Sequence, residues 1–514
     1  MMKKIAFVFA LAVSVLLAGT TPLFAQAAER AYYVDVEAGN DTNNGRSQEQ
    51  AFKSIDKALE SAKATAVKKI VLLKPANTRP TDTTSYVGYT SIDDTGDGEI
   101  TITSLNEPIG FDLRLSIRGR SKFRFENVRL VKSGIDLSGG AQAVIGKDAQ
   151  VFSVSADGSG TLVTIESNAK IINEAMIYDD RQAAGIRVGG GAKAIVKDDV
   201  EITNLPSIDR GFEEGVLVSG GEITIQDNVK ITGGKEAGIK FGDGTVTLKG
   251  NVSISGINLN TFNPDGGGIE MTGGTLVIQD NVTITGNTVS GKGGGIFFRP
   301  DKQIRATITG NVVISGNKAK QGGGIYIAGT KDETFNVGSG TYYFDWESEG
   351  NPARRFKGGV LVSLEGSAAI RDNTAVEGGG VYIENGSVFA QYTVDRVKNT
   401  ATITQTLGGF FMKGGTISGN KADYGAGVYA AGEELSIPEQ RGAYTRGNFE
   451  VQNTGKQIAK PGFTLTAGSI TGNAAEFVGG GIFVKQSGAY APGKGTVTGN
   501  TAGDGEGENV YNLP

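Results

Sequence analysis

The sequence predicts an all-β chain wound as a parallel β-helix, a solenoid with three short strands per coil and a short capping helix at its amino-terminal end. Three observations predict it. Gly supplies 79 of 514 residues, about twice the ordinary share, without the every-third-residue spacing of collagen. A Gly followed by a β-prone run recurs along most of the chain, and Asn recurs at fixed offsets from those glycines. Hydrophobic residues at 38 % are too many for a disordered tail.

Residues 1–27 read as an export signal. Lys3 and Lys4 precede the apolar run Ile5 to Ala18, and Ala25-Gln26-Ala27 supplies small residues for cleavage. That run is too short to span a bilayer, and no later segment is apolar enough to do so. Removal of the signal leaves 48 basic against 55 acidic residues, a net charge of -7. No basic stripe remains to displace counterions from a phosphate backbone, so a nucleic-acid partner is not expected. Cys and His are both absent. Disulfides, thiolate nucleophiles, His-based triads and His-ligated metals are therefore excluded.

Residues 28–99 form the expected cap segment. Phe52, Ile55, Leu59 and Ala62 share one helical face, and Lys69 to Leu73 reads as the strand that follows. The pair can cover the first coil, whose bare edge would otherwise template polymerisation.

Residues 100–514 carry the repeats. Gly185, Gly215, Gly238, Gly268, Gly295, Gly324, Gly359 and Gly380 each open a short β-prone run at steps of 21 to 35 residues, and Gly427 and Gly481 follow after about two periods each. Within one period, Ile269 to Met271, Thr275 to Gln279 and Val282 to Thr285 are three alternating runs parted by turn residues. Stacking each period on the last gives about 14 coils, roughly 67 Å at an interstrand spacing of about 4.8 Å.

The asparagines follow the same register. Asn228, Asn251 and Asn281 each lie 13 residues after their Gly, while Asn287, Asn317, Asn373, Asn420 and Asn473 lie 7 or 8 residues before the next one. Equal offsets in stacked coils predict columns of amides, each bonded to the next.

The Gly-Gly-Gly-Ile/Val and Ile-Thr/Ser-Gly-Asn elements resemble the right-handed parallel β-helix repeats of the pectate-lyase-like superfamily and of adhesin-like bacterial surface proteins. The segment Tyr32 to Asp35, Gly39 to Asp41, Asn44-Gly45 and Ala51 to Leu59 is similar to the opening of many secreted β-helix proteins. The resemblance implies a right-handed solenoid. It does not choose between enzymes and binding proteins, since the superfamily holds both.

A lyase would need acids for Ca²⁺ and a Lys or Arg base beside the substrate carboxylate. Candidates for catalysis are Asp179 and Asp180 with Arg181, and Asp198 and Asp199 beside Lys197. Their unequal offsets from Gly185 and Gly215 place the two pairs on different faces. Asp227 and Asp280 share an offset, with Lys249 expected between them as a solvated ion stack. No metal site or cofactor is expected, Ca²⁺ entering only with the lyase alternative.

Three insertions interrupt the late coils, at 331–356, 391–409 and 430–462. The first is rich in aromatic residues, and Tyr342, Tyr343 and Trp346 with Arg354 and Arg355 are the candidate ligand-binding residues. Exposed rings beside guanidinium groups can hold a sugar and its carboxylate, or anchor a protein. The expectation is a secreted or cell-surface module for adhesion to a glycan or an extracellular protein. Its alternative is a polysaccharide lyase or glycoside hydrolase acting on acidic polysaccharide.

Overall fold

A computed structural model describes residues 30–73, 88–93, 95, 98–105, 107–111, 113–130, 134–173, 184–204, 214–259, 265–329, 359–384, 387–395, 400–432, 435–436, 450–452, 458–459, 462–485, 489–503 and 505–513. The chain is a right-handed parallel β-helix; among the described residues there is one short helix, and almost all strand pairs are parallel. Three columns of strands run the length of the solenoid. The first face extends from Gly88–Ile92 to Val510–Asn512, the second from Tyr32–Val34 to Tyr490–Pro492, and the third from Ile109–Phe111 to Thr496–Thr498.

Register is set by the apolar alternation inferred from the sequence. Ile239, Ile269, Ile296, Ile325, Val381, Val428 and Ile482 pair in succession on the first face, and all are fully buried. Each such side chain is worth ~1.5–3 kcal/mol when removed from water, and a slip by one residue would turn the whole column outward. A fourth, shorter column was not foreseen. It starts at Asn258–Leu259 and Thr288–Val289, continues through single bridges at Lys318 and Thr374, and ends in Lys421–Tyr424, Ala474–Val478 and Thr501–Ala502.

The amino-terminal helix is Ile55–Ala64. Ser54 caps it by accepting the Lys57 N–H at 3.2 Å, and Ala58, Leu59 and Ala62 turn inward as the helical periodicity predicts. Asp41 fixes the entry by accepting the Lys53 and Ser54 N–H groups, both at 2.9 Å. The flanking strands Tyr32–Val34 and Lys69–Leu72 belong to the second face itself, so the cap is continuous with the solenoid rather than laid on its end.

The glycine that opens each late first-face strand has a steric cause. A Cβ on Gly324 would lie 2.5 Å from the Gly380 carbonyl oxygen, 2.8 Å from Ile370 Cγ2 and 3.0 Å from Asn373 Nδ2. The space it would fill belongs to the next coil and to a buried column of asparagines.

Candidate functional site

Both predicted asparagine columns are present. In the buried one, Asn287, Asn317, Asn373, Asn420, Asn473 and Asn500 each direct Nδ2 to the Oδ1 of the next, at 2.8 to 3.0 Å, until Asn509 ends the series at 3.1 Å. In the exposed one, Asn251 donates to Asn228 at 3.0 Å, Asn281 to Asn251 at 3.2 Å, and Asn311 to Asn281 at 3.2 Å. Asn311, Asn500 and Asn509 were not among the expected members. Gly310-Asn311 repeats the Gly250-Asn251 dipeptide, which was the available signal.

The exposed column stands at the corner between the second and third faces, where coil after coil turns with positive φ. Asp198 and Asp199 hold φ of 60° and 65°, and Asp227 and Asn228 hold 58° and 66°. Asp and Asn tolerate this left-handed region better than other residues with a side chain, which accounts for the acids at this corner. Asp198 pairs with Lys197 at 2.8 Å, and Lys197 also reaches Glu166 at 2.9 Å. Those two hydrogen bonds, to Asp198 first and then Glu166, push the Lys197 pKa well up and favour its protonated form.

Lys249 does not stand between Asp227 and Asp280. Gly250 occupies that rung, its N–H 3.3 Å from Asp280 Oδ2, while Lys249 pairs with Gln226 one position earlier. The corner needs a residue at φ 68° there, which Gly supplies without strain.

Beside this corner the third face carries an open groove of about 1050 Å³. Gln150, Lys170, Glu201, Lys230, Ser253 and Thr283 lie in register along its floor. Asp148, Asn168, Asp199, Asn228, Asn251 and Asn281 form its wall at the turn. Glu201 is shared by Lys170 at 3.2 Å and Lys230 at 3.9 Å. The groove thus gathers one predicted acid, Asp199, with the exposed amides. Asp179, Asp180 and Arg181 lie outside the described residues.

A second polar cluster sits on the first face and was missed. Lys240 Nζ lies 3.6 Å from Glu214 and 3.6 Å from Glu270 and pairs closely with Glu236; Arg299 reaches Glu270 Oε1 at 3.3 Å. Glu270 is only 2 % exposed and Glu214 7 %. Burial raises the Glu270 pKa despite the Lys240 and Arg299 charges. For Lys240, burial opposes the charge, but the Glu236 hydrogen bond and the three carboxylates outweigh it and raise the pKa. The ammonium occupies the centre of this acid group, and among the described residues no group of acids is arranged to hold a metal ion. Opposite charges at equal offsets, Lys240 and Glu270 each two residues past Gly238 and Gly268, were the legible signal.

Further along the same outward column the charges give way to rings. Phe297, Tyr326, Tyr382, Tyr429, Phe483 and Tyr511 follow one another, with Tyr326, Tyr382 and Tyr429 stacked 4.9 and 4.8 Å apart at 3° and 12°. Burial raises the Tyr429 pKa to about 12 and that of Tyr326 further, so these phenols keep their protons.

All three late insertions leave one corner, between the first and second faces, on successive coils: after Ile325–Ile327, Val381–Ile383 and Val428–Ala430. The one expected at 391–409 is a hairpin in which Ser387–Asp395 pairs antiparallel with Thr400 to Gly408. Glu450–Gln452 of the third insertion adds parallel to Thr400 to Thr402. Tyr342, Tyr343, Trp346, Arg354 and Arg355 lie outside the described residues.

Residues 214–395 match the protein family described as the right handed beta helix region. The matched β-helix segment holds the exposed amides Asn228 to Asn311, the Lys240 cluster and the first insertion, and it ends within the second. No curated protein and no solved structure matches the chain. No described helix is long and apolar enough to cross a membrane.

Proposed function

We propose that this β-helix is an exported protein, secreted or held at the cell surface, and that it acts as a non-enzymatic module for adhesion to a glycan or an extracellular protein. The observation that carries this reading is the lateral groove. It is open, extends over several coils, and is lined by amides, hydroxyls and side chains already joined in ion pairs. Such a surface supplies many weak polar contacts, and its Glu201 is already engaged by Lys170 and Lys230. Tyr342, Tyr343, Trp346, Arg354 and Arg355 are proposed as a second contact region, through ring stacking and guanidinium pairing.

The test is a glycan and extracellular-protein array probed with residues 28–514, repeated with Trp346→Ala. We expect at least one retained ligand and a tenfold or greater loss in the variant. Unchanged binding removes the insertion from the proposal, and the absence of any ligand removes the adhesion reading. Detection of the chain outside the cytoplasm, cut after Ala27, tests export.

The enzymatic alternative is favoured by one observation, the three carboxylates around Lys240 with Arg299 nearby. In that cluster the ammonium of Lys240 is already engaged by Glu214, Glu236 and Glu270, and Arg299 by Glu270, so its charges are spent on one another. A rise in ultraviolet absorbance from an acidic polysaccharide incubated with the protein and Ca²⁺ would establish lyase activity and reverse this preference.

A further inference from the structure

We infer that the hairpin of the second insertion joins two copies of this chain: Ser387–Asp395 of one copy lies antiparallel beside the same strand of the other, about a two-fold axis at Gln391. The pairing uses neither the groove nor any ligand, so it stands apart from the adhesion reading.

The strand runs for nine residues, roughly 30 Å at about 3.4 Å each, and pairs with Thr400 to Gly408 in an unbroken antiparallel register. On the far side of that partner, Glu450–Gln452 of the third insertion covers Thr400 to Thr402. Among the described residues no strand pairs with the outer edge of Ser387–Asp395. Along such an edge every second residue turns its N–H and C=O away from the hairpin, and the row templates another strand. Edges that stay single are short, bulged, or protected by Pro or Lys. This one has no Pro, Gly or Lys, no bulge, and a single charge, Asp395, at its far end. Over most of its length the hairpin is a two-stranded ribbon, which is marginal in water until more strands join it.

The residue order selects the occupant. Laid antiparallel on itself about Gln391, the strand sets Val388 opposite Val394, Phe389 opposite Thr393 and Ala390 opposite Tyr392, with Gln391 opposite its own copy. Each aromatic residue meets a smaller one, and pairs of aromatic with β-branched residues favour strand association. Asp395 falls opposite Ser387, so the two acids stand at opposite ends. Parallel pairing in register would instead set Asp395 against Asp395, which like charge disfavours. The two-fold operation uses the edge of each copy once and closes, giving a dimer with a four-stranded ribbon at its centre rather than a fibre. The dimer presents two copies of every surface site, and a repetitive ligand would gain avidity from both.

The chain has no Cys, so a single introduced thiol can form a disulfide only with one on another copy. Under mild oxidation of residues 28–514, Gln391→Cys should yield a covalent dimer on a non-reducing gel. Val388→Cys and Val394→Cys should each yield at least tenfold less alone, yet cross-link when the two are mixed. Light scattering should give twice the monomer mass for the parent. Gln391→Lys and Gln391→Glu, which set like charges against each other at the axis, should each be monomeric with an unchanged thermal midpoint, and their equimolar mixture should recover the dimer. A parent that stays monomeric overturns the proposal, whether residues 330–358, which leave the same corner one coil earlier, or nothing at all covers the edge. Cross-linking of Val388→Cys alone as efficient as that of Gln391→Cys, or a dimer that survives both charge variants, overturns it as well.

Discussion

The two asparagine columns are built from the same side chain in the same solenoid, yet they do different work. Asn373 in the buried column uses its full capacity: Nδ2 donates to Asn420 Oδ1 and to the Ile314 carbonyl, each at 3.0 Å, and its Oδ1 accepts both Nδ2 and the backbone N–H of Asn317. Asn251 in the exposed column makes one amide bond downward and receives one from above. The polarity is opposite as well. Buried amides donate toward the carboxy-terminal coil, exposed ones toward the amino-terminal coil. A ladder closed on itself is scaffold, whereas one left half-satisfied at the surface has bonds to give.

The largest consequence falls on the closed ladder. Asn373→Ala takes the acceptor from the Asn317 N–H and a donor from the Ile314 carbonyl and Asn420 Oδ1 in a fully buried site, and buried polar groups left unpaired cost ~1–3 kcal/mol each. A loss of about 3–5 kcal/mol in unfolding free energy is expected, read as a lower denaturant midpoint at constant slope. A loss below about 1 kcal/mol would mean that water or a relaxed backbone replaces the ladder, and the contrast between the columns would vanish.

Glu270→Gln should act in the opposite direction and with smaller size. Because burial raises the folded-state pKa of Glu270 above the ordinary carboxyl value, the native state holds this proton more tightly than the unfolded chain. Its contribution is complete below the unfolded pKa and is lost as pH rises through the folded one. At pH 8 the charged side chain is therefore a burden that Gln removes, while Lys240 keeps Glu214 and Glu236 as partners. The variant should melt higher than the parent at pH 8 and no higher near pH 4. A lower melting point at pH 8 would show instead that the Glu270 charge is needed by Lys240 and Arg299.

Fold and ladders were legible because a solenoid turns sequence offset into spatial register. Equal spacing from Gly215, Gly238 and Gly268 placed Asn228, Asn251 and Asn281 in one column without any knowledge of three-dimensional structure. The same rule applied two residues past each Gly would have exposed Lys240 and Glu270, then the ring series from Phe297 to Phe483. Lys249 was misplaced by one position: it lies 11 residues past Gly238, and the offset of 12 shared by Asp227 and Asp280 falls on Gly250, which takes the left-handed corner. The groove was not legible. Its floor alternates charge, hydroxyl and amide in strands whose sequence pattern records only which side faces inward. That a concavity forms over these coils depends on the shape of the corner beside them.

The smallest expected effect belongs to Asn251→Ala, and it is the sharpest test of the comparison. Asn228 and Asn281 lose a partner each, but both are exposed, so water replaces the lost bonds. Stability should fall by less than about 1 kcal/mol, with the strand pairing of Asn251–Ser255 to Asn281–Thr285 intact by hydrogen exchange. Binding of any ligand retained on the array should weaken in the variant if that ligand uses the wall formed by Asn228, Asn251 and Asn281. A stability loss equal to that of Asn373→Ala would make the exposed column scaffold after all, and would leave the groove wall without bonds to offer.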